Sequence, residues 1–283
     1  MNRTTAIATI FAAGLAALAT TAATPSGAQD TLATLKEQGF ARIAIANEPP
    51  FTAVNTDGTV AGAGPDVARE VFKRLGVPEV VASVSEYGAM IPGLQAKRFD
   101  AVTAGLFMRP ERCAAVAYSE PILCDSLAFS VRKGNPLGLG SFADIAASDT
   151  ARIGVVGGGT DEKLALDAGV PRDRVIVVPD FQAGIAMLQS ERIDVFALPL
   201  LSTHDVLSKA ADPDIENAGL VSDAPIYCDG AAFRKDDVAL RDAFDVELGK
   251  LKESGDFAAI IEHYGFSAEA ALATNREKLC PGT

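Results

Sequence analysis

Two internal similarities place the strongest limits on how this chain can fold. The segment LQAKRFD at 94–100 resembles LQSERID at 188–194, and in both places a helical pattern ends just before a short apolar strand. The segment ILCDSLAF at 122–129 likewise resembles IYCDGAAF at 226–233. Because each similarity relates equivalent steps of two halves, we expect two similarly wound lobes that are connected by two extended crossings.

Strand and helix patterns alternate within each half, as they do in α/β units with a mainly parallel sheet. The first crossing leaves the first lobe near Ser130, and the second returns to it near Ala231. We therefore expect a discontinuous first lobe of residues 29–130 and 231–283, and a second lobe of residues 131–230. Strands are predicted at 42–46, 80–84, 99–103, 152–156, 175–178 and 193–198, and the last two helices at 238–253 and 257–264.

Residues 1–28 predict a secretory signal peptide. Arg3 is followed by an apolar stretch over 6–19, and Ser26-Gly-Ala28 provides a small-x-small cleavage site. A transmembrane anchor is the alternative, but this stretch is shorter than the roughly 20 apolar residues that a membrane span needs. Attachment as a lipoprotein requires a cysteine at the cleavage point, and the first cysteine is Cys113. We therefore expect an exported, periplasmic protein that is not a lipoprotein.

The four cysteines are typical of an oxidising compartment, in which an even count indicates disulfides. Four cysteines allow three pairings, and their spacing does not choose among them. We favour Cys124 with Cys228, because the two occupy equivalent positions on the crossings, and this leaves Cys113 with Cys280. Reduced, buried cysteines are the alternative.

The composition argues against several classes of function. A formal net charge of -12 makes nucleic acids and anionic membranes poor partners. The two histidines, His204 and His263, are far apart and have no Cys or His nearby. Neither a zinc site nor a histidine-based nucleophile can be assembled from that inventory, and we expect no cofactor.

The segment GGGT at 157–160 follows a predicted strand, as a dinucleotide-binding loop does. Glu162, however, stands where the GxGxxG pattern needs its last glycine, and Asp161 and Glu162 would repel a pyrophosphate. The turn instead predicts a helix N-terminus whose free amides and Thr160 hydroxyl suit a single carboxylate. A plain helix cap is the alternative.

Arg112 lies just beyond a glycine-bounded turn. Its planar guanidinium can bind a carboxylate through two parallel hydrogen bonds, although an arginine after Pro-Glu is more often a helix-start residue paired with a nearby acid. The pattern AGxxxxPERxxxVxYSxP over 104–121 resembles the signature of polar amino-acid binding proteins of bacterial ABC importers. This resemblance implies that Arg112 and Thr160, from opposite lobes, hold the carboxylate of a ligand.

The sequence departs from that family at the other end of the ligand. Pro199 stands where typical members have the aspartate that holds an α-ammonium, and Phe107 replaces a small hydroxyl residue. The loops that would face a ligand instead carry Phe51, Tyr87 and Glu48. Aromatic faces attract delocalised cations, at about 0.5–2 kcal/mol per contact. The alternative is that the three aromatic residues belong to the core.

Three motifs together resemble the ectoine/hydroxyectoine-binding proteins of ABC importers: NEPPF at 47–51, SEYGAMIPG at 85–93 and GLFMRPERC at 105–113. Ectoine is a small zwitterion with a carboxylate and a cyclic amidinium. The resemblance implies a two-lobed, type II periplasmic-binding-protein-like α/β fold with two hinge-crossing strands. It also implies a monomer that delivers its ligand to an ABC permease and ATPase. The implied ligand contacts are Glu48 to the ring nitrogens, Phe51, Tyr87 and Phe107 around the cation, and Arg112 and Thr160 to the carboxylate.

Two alternatives remain on the same scaffold. One is a binding protein for another cationic or polar amino acid or for a betaine, although Pro199 argues against a free α-ammonium and a betaine leaves Glu48 without N–H donors. The other is an enzyme similar to cyclohexadienyl dehydratases, with Glu48 as the general acid. We expect binding without catalysis.

Overall fold

The computed structural model describes residues 31–282, so the predicted signal peptide lies outside the described residues. No helix in this range is both long and apolar enough to cross a membrane. The α-helices are α1 Thr31–Gln38, α2 Ala63–Arg74, α3 Tyr87–Gln95, α4 Pro110–Ala115, α5 Phe142–Ala147, α6 Thr160–Asp167, α7 Phe181–Gln189, α8 Leu200–Ala210, α9 Val238–Ser254, α10 Asp256–Glu262, α11 Ala268–Leu272 and α12 Arg276–Leu279. The β-strands are β1 Phe40–Ile45, β2 Ala53–Val54, β3 Val60–Ala61, β4 Glu79–Val84, β5 Ala101–Val102, β6 Ala117–Tyr118, β7 Cys124–Asp125, β8 Leu127–Arg132, β9 Ile153–Val156, β10 Val175–Val178, β11 Val195–Pro199, β12 Ile215–Leu220, β13 Tyr227–Cys228 and β14 Ala232–Phe233.

The first lobe is built on a sheet with the strand order β4-β1-β5-β14-β6. Strands β4, β1 and β5 are parallel, whereas β14 runs antiparallel to both of its neighbours, β5 and β6. Because β14 follows the second crossing, a segment from late in the chain lies between two early ones. The sheet therefore joins the two ends of the described chain in one lobe.

Helix α9 covers this sheet with a single apolar face. Leu240, Phe244, Leu248 and Leu251 recur every three or four residues, and all four are buried. Phe244 packs edge-to-face against Phe233 of β14, with the ring centroids 5.3 Å apart. The helical spacing that predicts α9 from the sequence is therefore the spacing that buries it.

The second lobe is built on a sheet with the order β10-β9-β11-β8-β12, in which β8 runs antiparallel to both β11 and β12. All of β8, from Leu127 to Arg132, belongs to this sheet. The boundary after residue 130 that the sequence suggested therefore falls inside a strand of the second lobe. We propose that the first crossing ends before Leu127, because a strand that is paired on both sides moves with its sheet.

The two crossings meet in a small antiparallel pair, β7 with β13, in which Cys124 lies opposite Cys228. These two cysteines form a disulfide, with their Cα atoms 4.0 Å apart. A second disulfide joins Cys113 to Cys280, with a Cα–Cα distance of 5.5 Å. Both favoured bridges are present and no cysteine is free, so the alternative of reduced cysteines is wrong.

The chain continues beyond the helix that the sequence placed last. Helices α11 and α12 follow α10, and the Cys113–Cys280 bridge ties the end of α12 to α4. Both helices were missed because they have only five and four residues, which is too short for a helical period to show.

Candidate ligand-binding site between the lobes

A cavity lies between the lobes, beside the carboxyl ends of β1, β9 and β11, which is where α/β sheets commonly bind ligands. Five of the six predicted site residues line it: Glu48, Tyr87, Phe107, Arg112 and Thr160. The first four come from the first lobe, and Thr160 comes from the second. The remaining lining residues are Gly105, Leu127, Val156, Gly159, Asp161 and Pro199.

Arg112 is buried in helix α4 with only carbonyl oxygens as hydrogen-bond partners. Its Nη1 donates to the Phe107 carbonyl at 2.9 Å, and its Nη2 donates to the Gly158 carbonyl of the second lobe at 2.9 Å. No carboxylate within residues 31–282 forms a salt bridge with it; the ion pair of this helix joins Arg109 to Glu111. Burial lowers the pKa of Arg112, as expected for a cation without an acidic partner. A buried guanidinium of this kind is stabilised by an anion in the cavity.

The glycine turn before α6 differs from its prediction in one respect. Two of its amides are already paired, since Gly158 N donates to Glu162 Oε2 at 2.7 Å and Gly159 N donates to the Val156 carbonyl at 2.9 Å. Thr160 is the first residue of the helix rather than its cap. Its hydroxyl makes no hydrogen bond to another residue of the described chain and lies at the positive end of the helix dipole. On this lobe the amides of Gly158 and Gly159 are therefore already occupied, and the Thr160 hydroxyl is the polar group left to meet a ligand.

Asp161 adds a carboxyl group that the sequence analysis treated only as an obstacle to phosphate. Its Oδ2 accepts a hydrogen bond from Val156 N at 2.8 Å, and this bond closes the glycine turn. Burial is the main cause that raises the pKa of Asp161 to about 7, and the nearby charge of Glu48 raises it further. Asp161 lines the cavity beside Thr160.

Glu48 is held by hydroxyl groups from both lobes. Ser202 Oγ donates to Oε1 at 2.8 Å, and the Tyr87 hydroxyl oxygen lies 2.7 Å from Oε2. Burial is the largest cause that raises the pKa of Glu48 to about 7; the hydrogen bonds from Tyr87 and Ser202 lower it, and the charge of Asp125 raises it. Sequence reasoning missed Ser202 because nothing local connects it to a loop 154 residues earlier.

The hydrogen bonds of the Tyr87 hydroxyl depend on whether Glu48 carries a proton. The Tyr87 hydroxyl oxygen is 2.7 Å from Glu48 Oε2 and also 2.7 Å from the Ala104 carbonyl oxygen, but a phenol has one proton. The carbonyl only accepts, so when Tyr87 donates to it, Glu48 must carry a proton and donate to Tyr87. A cation near Glu48 favours the ionised carboxylate, with the Tyr87 hydroxyl turned towards it. Glu48 can therefore exchange a proton for a cationic ligand.

The aromatic residues divide into two roles. Tyr87 and Phe107 line the cavity, but Phe51, which was predicted to do so, is not among its lining residues. Phe51 packs edge-to-face against Phe107 at 5.8 Å between centroids and against Phe266 at 4.7 Å. Gly105 has a φ of 74°, and a Cβ there would lie 2.8 Å from the Phe51 ring. Phe51 therefore supports Phe107 from behind, and the glycine leaves room for its ring.

Comparisons with known proteins identify the family of this chain. The family model for bacterial extracellular solute-binding proteins, family 3, matches residues 41–267. A probable amino-acid ABC transporter periplasmic-binding protein of Sinorhizobium fredii, y4tE, is 33% identical over 249 residues, which is 86% of this chain and 82% of that protein. The crystal structure of EhuB in complex with hydroxyectoine is 72% identical, with a TM-score of 0.88, and the match covers 90% of this chain and 99% of that one.

A more distant structure shares only the fold. The ancestral amino acid-binding protein AncCDT-1, a precursor of cyclohexadienyl dehydratase, is 24% identical with a TM-score of 0.73, over 83% of this chain and 99% of that one. The two-lobed, type II fold and the resemblance to solute-binding proteins of ABC importers are thereby confirmed. The chain belongs to family 3 of the bacterial extracellular solute-binding proteins.

Proposed function

We propose that this protein captures ectoine or hydroxyectoine and delivers it to the permease of an ABC importer. The observation that carries the proposal is a buried Arg112 without an acidic partner, in the same cavity as a buried Glu48 beside aromatic faces. Such a cavity is complementary to a small zwitterion whose cation is delocalised. The 72% identity to EhuB, which was crystallised with hydroxyectoine, supports the same ligand class.

The ligand carboxylate is assigned to Arg112 and Thr160. Arg112 already bridges the lobes through Gly158, so an anion placed there contacts both lobes at once. The cyclic amidinium is assigned to Glu48, with Tyr87 and Phe107 covering its faces and Phe51 supporting Phe107. The negatively charged carboxylate of the ligand then faces a guanidinium and a hydroxyl, and its positively charged amidinium faces a carboxylate and two aromatic rings.

Pro199 explains why a free α-amino acid suits this cavity poorly. It lines the cavity at the end of β11, and proline has neither a backbone N–H nor a polar side chain. A primary ammonium at this position would find no compact acceptor on Pro199. A betaine would find the aromatic faces but would give Glu48 no N–H group to bind.

Capture is proposed to close the lobes about the β7–β13 pair. A ligand biases an equilibrium between two conformations only through its different affinity for each of them. Here the carboxylate contacts Arg112 and Thr160 together only when the lobes meet, so the ligand favours the closed form. The permease can then distinguish the loaded protein from the open one. We place the protein in the periplasm as a monomer, after removal of residues 1–28; the two disulfides agree with that compartment.

The proposal is tested by calorimetric titration of the mature protein with ectoine and hydroxyectoine, with lysine, glutamine and glycine betaine as comparison ligands. We expect saturable binding of the first two and no binding of the others. Binding of an ordinary amino acid with no response to ectoine would contradict the proposal.

The enzymatic alternative has one specific observation in its favour, namely the raised pKa of Glu48, which is suited to a general acid. The family relatives named above are transporter binding proteins, and we propose that this chain has no catalytic activity. Incubation with prephenate or arogenate should give no product. Product formation by the unaltered protein that is lost in the Glu48→Gln variant would show instead that the protein is an enzyme with Glu48 as its general acid.

A further inference from the structure

Ser202 belongs to the second lobe, but its hydroxyl is bonded to the first. It lies in the first turn of α8, is only 3% exposed, and donates to Glu48 Oε1 at 2.8 Å. The same turn is attached to the end of the first crossing. Leu200 N donates to the Ser126 carbonyl at 2.8 Å, and Leu201 N donates to Asp125 Oδ2 at 3.0 Å. Ser202 is therefore carried on a helix that directly follows β11 of the second-lobe sheet and whose first turn is bonded to the first crossing.

The carboxyl group of Glu48 is thus oriented from two sides. Tyr87 contacts Oε2 from the same lobe as Glu48, whereas Ser202 donates to Oε1 from the other lobe. Separation of the lobes would therefore break only the second contact. A hydrogen bond from a hydroxyl to an ionised carboxylate is about twice as strong as one between neutral groups. Any ligand that keeps Glu48 ionised therefore strengthens a contact that exists only in the closed form.

We propose that Ser202 is a positioning residue that couples recognition of the ligand's cation to closure of the lobes, by donating to Glu48 across the cleft. This inference rests on the proposed function, since it requires a cationic group at Glu48. Ser202 orients the carboxylate so that the remaining lone pairs of Glu48 face the N–H groups of the ligand. A ligand without N–H donors leaves that carboxylate unmatched and closes the lobes less effectively.

The chain provides a matched control next to Ser202. Thr203 lies on the same helix, is fully buried, and has a hydroxyl without a hydrogen-bond partner. Ser202→Ala and Thr203→Val each remove one buried hydroxyl from adjacent positions of α8. Only the first removes a contact with Glu48, so a general effect of altering the helix should appear equally in both variants.

The pH dependence of ectoine binding distinguishes a positioning role of Ser202 from a role in packing alone. Three titratable groups interact electrostatically with Glu48: Tyr87 of α3 and Asp125 of β7 affect its pKa, and its own charge affects the pKa of Asp161 of α6. None of them is altered in either variant. The Ser202 donor acts on Glu48 only when the lobes meet, and it stabilises the ionised carboxylate. The loss of ectoine affinity in Ser202→Ala should therefore be largest at pH 8, where Glu48 is ionised, and should shrink as the pH falls. Any loss in Thr203→Val should not vary with pH.

The experiment is calorimetric titration of both variants and the unaltered protein with ectoine between pH 5 and pH 9, with thermal unfolding as a check on folding. We expect Ser202→Ala to bind about 10-fold more weakly at pH 8, and this difference from the unaltered protein should shrink towards pH 5. Thr203→Val should stay within about twofold of the unaltered protein. Equal behaviour of the two variants in affinity and pH profile would overturn the inference and leave the proposed function intact. Failure of the unaltered protein to bind ectoine would overturn both.

Discussion

Gly158 of the second lobe lies directly against the backbone of Gly88 in the first lobe. A Cβ atom at Gly158 would lie 2.7 Å from the Cα of Gly88 and closer still to its amide nitrogen, a separation that real Cβ atoms essentially never show. Gly158 has a φ of 73°, and its carbonyl accepts the hydrogen bond from Arg112. The glycine turn, which the sequence predicts as a helix N-terminus suited to a carboxylate, is thus also a surface on which the two lobes meet.

Gly158→Ala should therefore hinder closure and weaken ectoine binding by about 10-fold or more. Gly169→Ala is the matched control, since Gly169 has a φ of 90° in the same lobe and nothing within 4 Å of its Cβ position. Both variants incur the cost of a left-handed alanine, about 1–2 kcal/mol, which thermal unfolding measures. Equal affinities for ectoine in the two variants would show that the contact between Gly158 and Gly88 does not limit closure.

Arg112→Lys should reduce ectoine binding by about 100-fold even though it keeps the positive charge. Lysine cannot donate to the Phe107 and Gly158 carbonyls in the fork geometry of a guanidinium while also binding a carboxylate. Arg174→Lys is the control and should change the affinity by less than about threefold, because Arg174 donates to the Ile145 and Ala151 carbonyls within the second lobe and lies outside the cavity. Thr160→Ala should weaken binding less than Arg112→Ala, because it removes one neutral hydroxyl. Similar, mild losses at both positions would contradict the assigned carboxylate site.

Two substitutions of Tyr87 separate its ring from its hydroxyl. Tyr87→Phe keeps the aromatic face and should weaken ectoine binding by about fivefold, since one hydrogen bond to Glu48 is lost. Tyr87→Leu removes the face as well and should have a clearly larger effect. Tyr118→Phe serves as the control, because the Tyr118 hydroxyl donates to the Leu106 carbonyl away from the cavity lining. Calorimetry that finds equal affinities for Tyr87→Phe and Tyr87→Leu would remove the ring from the cation site.

Ectoine binding should weaken as the pH falls below about 7. The pKa of Glu48 is raised from 4.5 to about 7, so lowering the pH protonates the group that binds the cation. Protons then compete with the ligand, and affinity should fall by up to about tenfold per pH unit. Binding at pH 6 should release close to one proton, which is measured by titration in buffers that differ in ionisation enthalpy.

The source of that proton can be tested with other buried carboxyl groups. Asp229 also has a pKa raised to about 7 by burial, but it lies outside the cavity lining. Asp229→Asn can still accept the hydrogen bond from Leu123 N and should leave the proton release unchanged. Asp161→Asn should abolish it only if Asp161, rather than Glu48, loses the proton. A binding enthalpy that is the same in every buffer would contradict proton exchange altogether.

Removing the Cys113–Cys280 bridge should lower the free energy of unfolding by about 2–4 kcal/mol, since it joins residues 167 positions apart. The paired variant Cys113→Ser/Cys280→Ser should nevertheless bind ectoine within about threefold of the unaltered protein, because neither residue lines the cavity. Urea denaturation measures the first effect and calorimetry the second. An unchanged denaturation midpoint would show that the bridge does not stabilise the native lobe.

Several features of this protein follow from local patterns in the sequence. The apolar spacing from Leu240 to Leu251 predicts α9 almost to its last residue, because the same period that defines the helix also buries it. The repeated Cys-Asp segments predict the two crossings and the pairing of Cys124 with Cys228, since equivalent strands beside each other bring equivalent residues together. Arg112 and Thr160 are predicted as ligand contacts because their motifs resemble those of a known family.

Other features depend on which segments pair. The end of the first lobe was placed within β8 because a strand of this composition fits either sheet, and only its pairing with β11 and β12 assigns it to the second. Phe51 was placed in the cavity wall because a motif gives the position of an aromatic residue in the chain, not the direction in which its ring packs.

By itself, the sequence indicated the two-lobed α/β organisation and the crossings, because its internal similarities and short-range periodicity are local patterns. The resemblance of its motifs to a known family predicted five of the eleven residues that line the cavity. Only the tertiary structure brought Ser202 to Glu48, 154 residues away, and Gly158 to Gly88. Both contacts cross the cleft, and they depend on how two separately folded lobes are placed against each other. No local period or propensity encodes that placement, which arises from the packing of whole lobes about the β7–β13 pair.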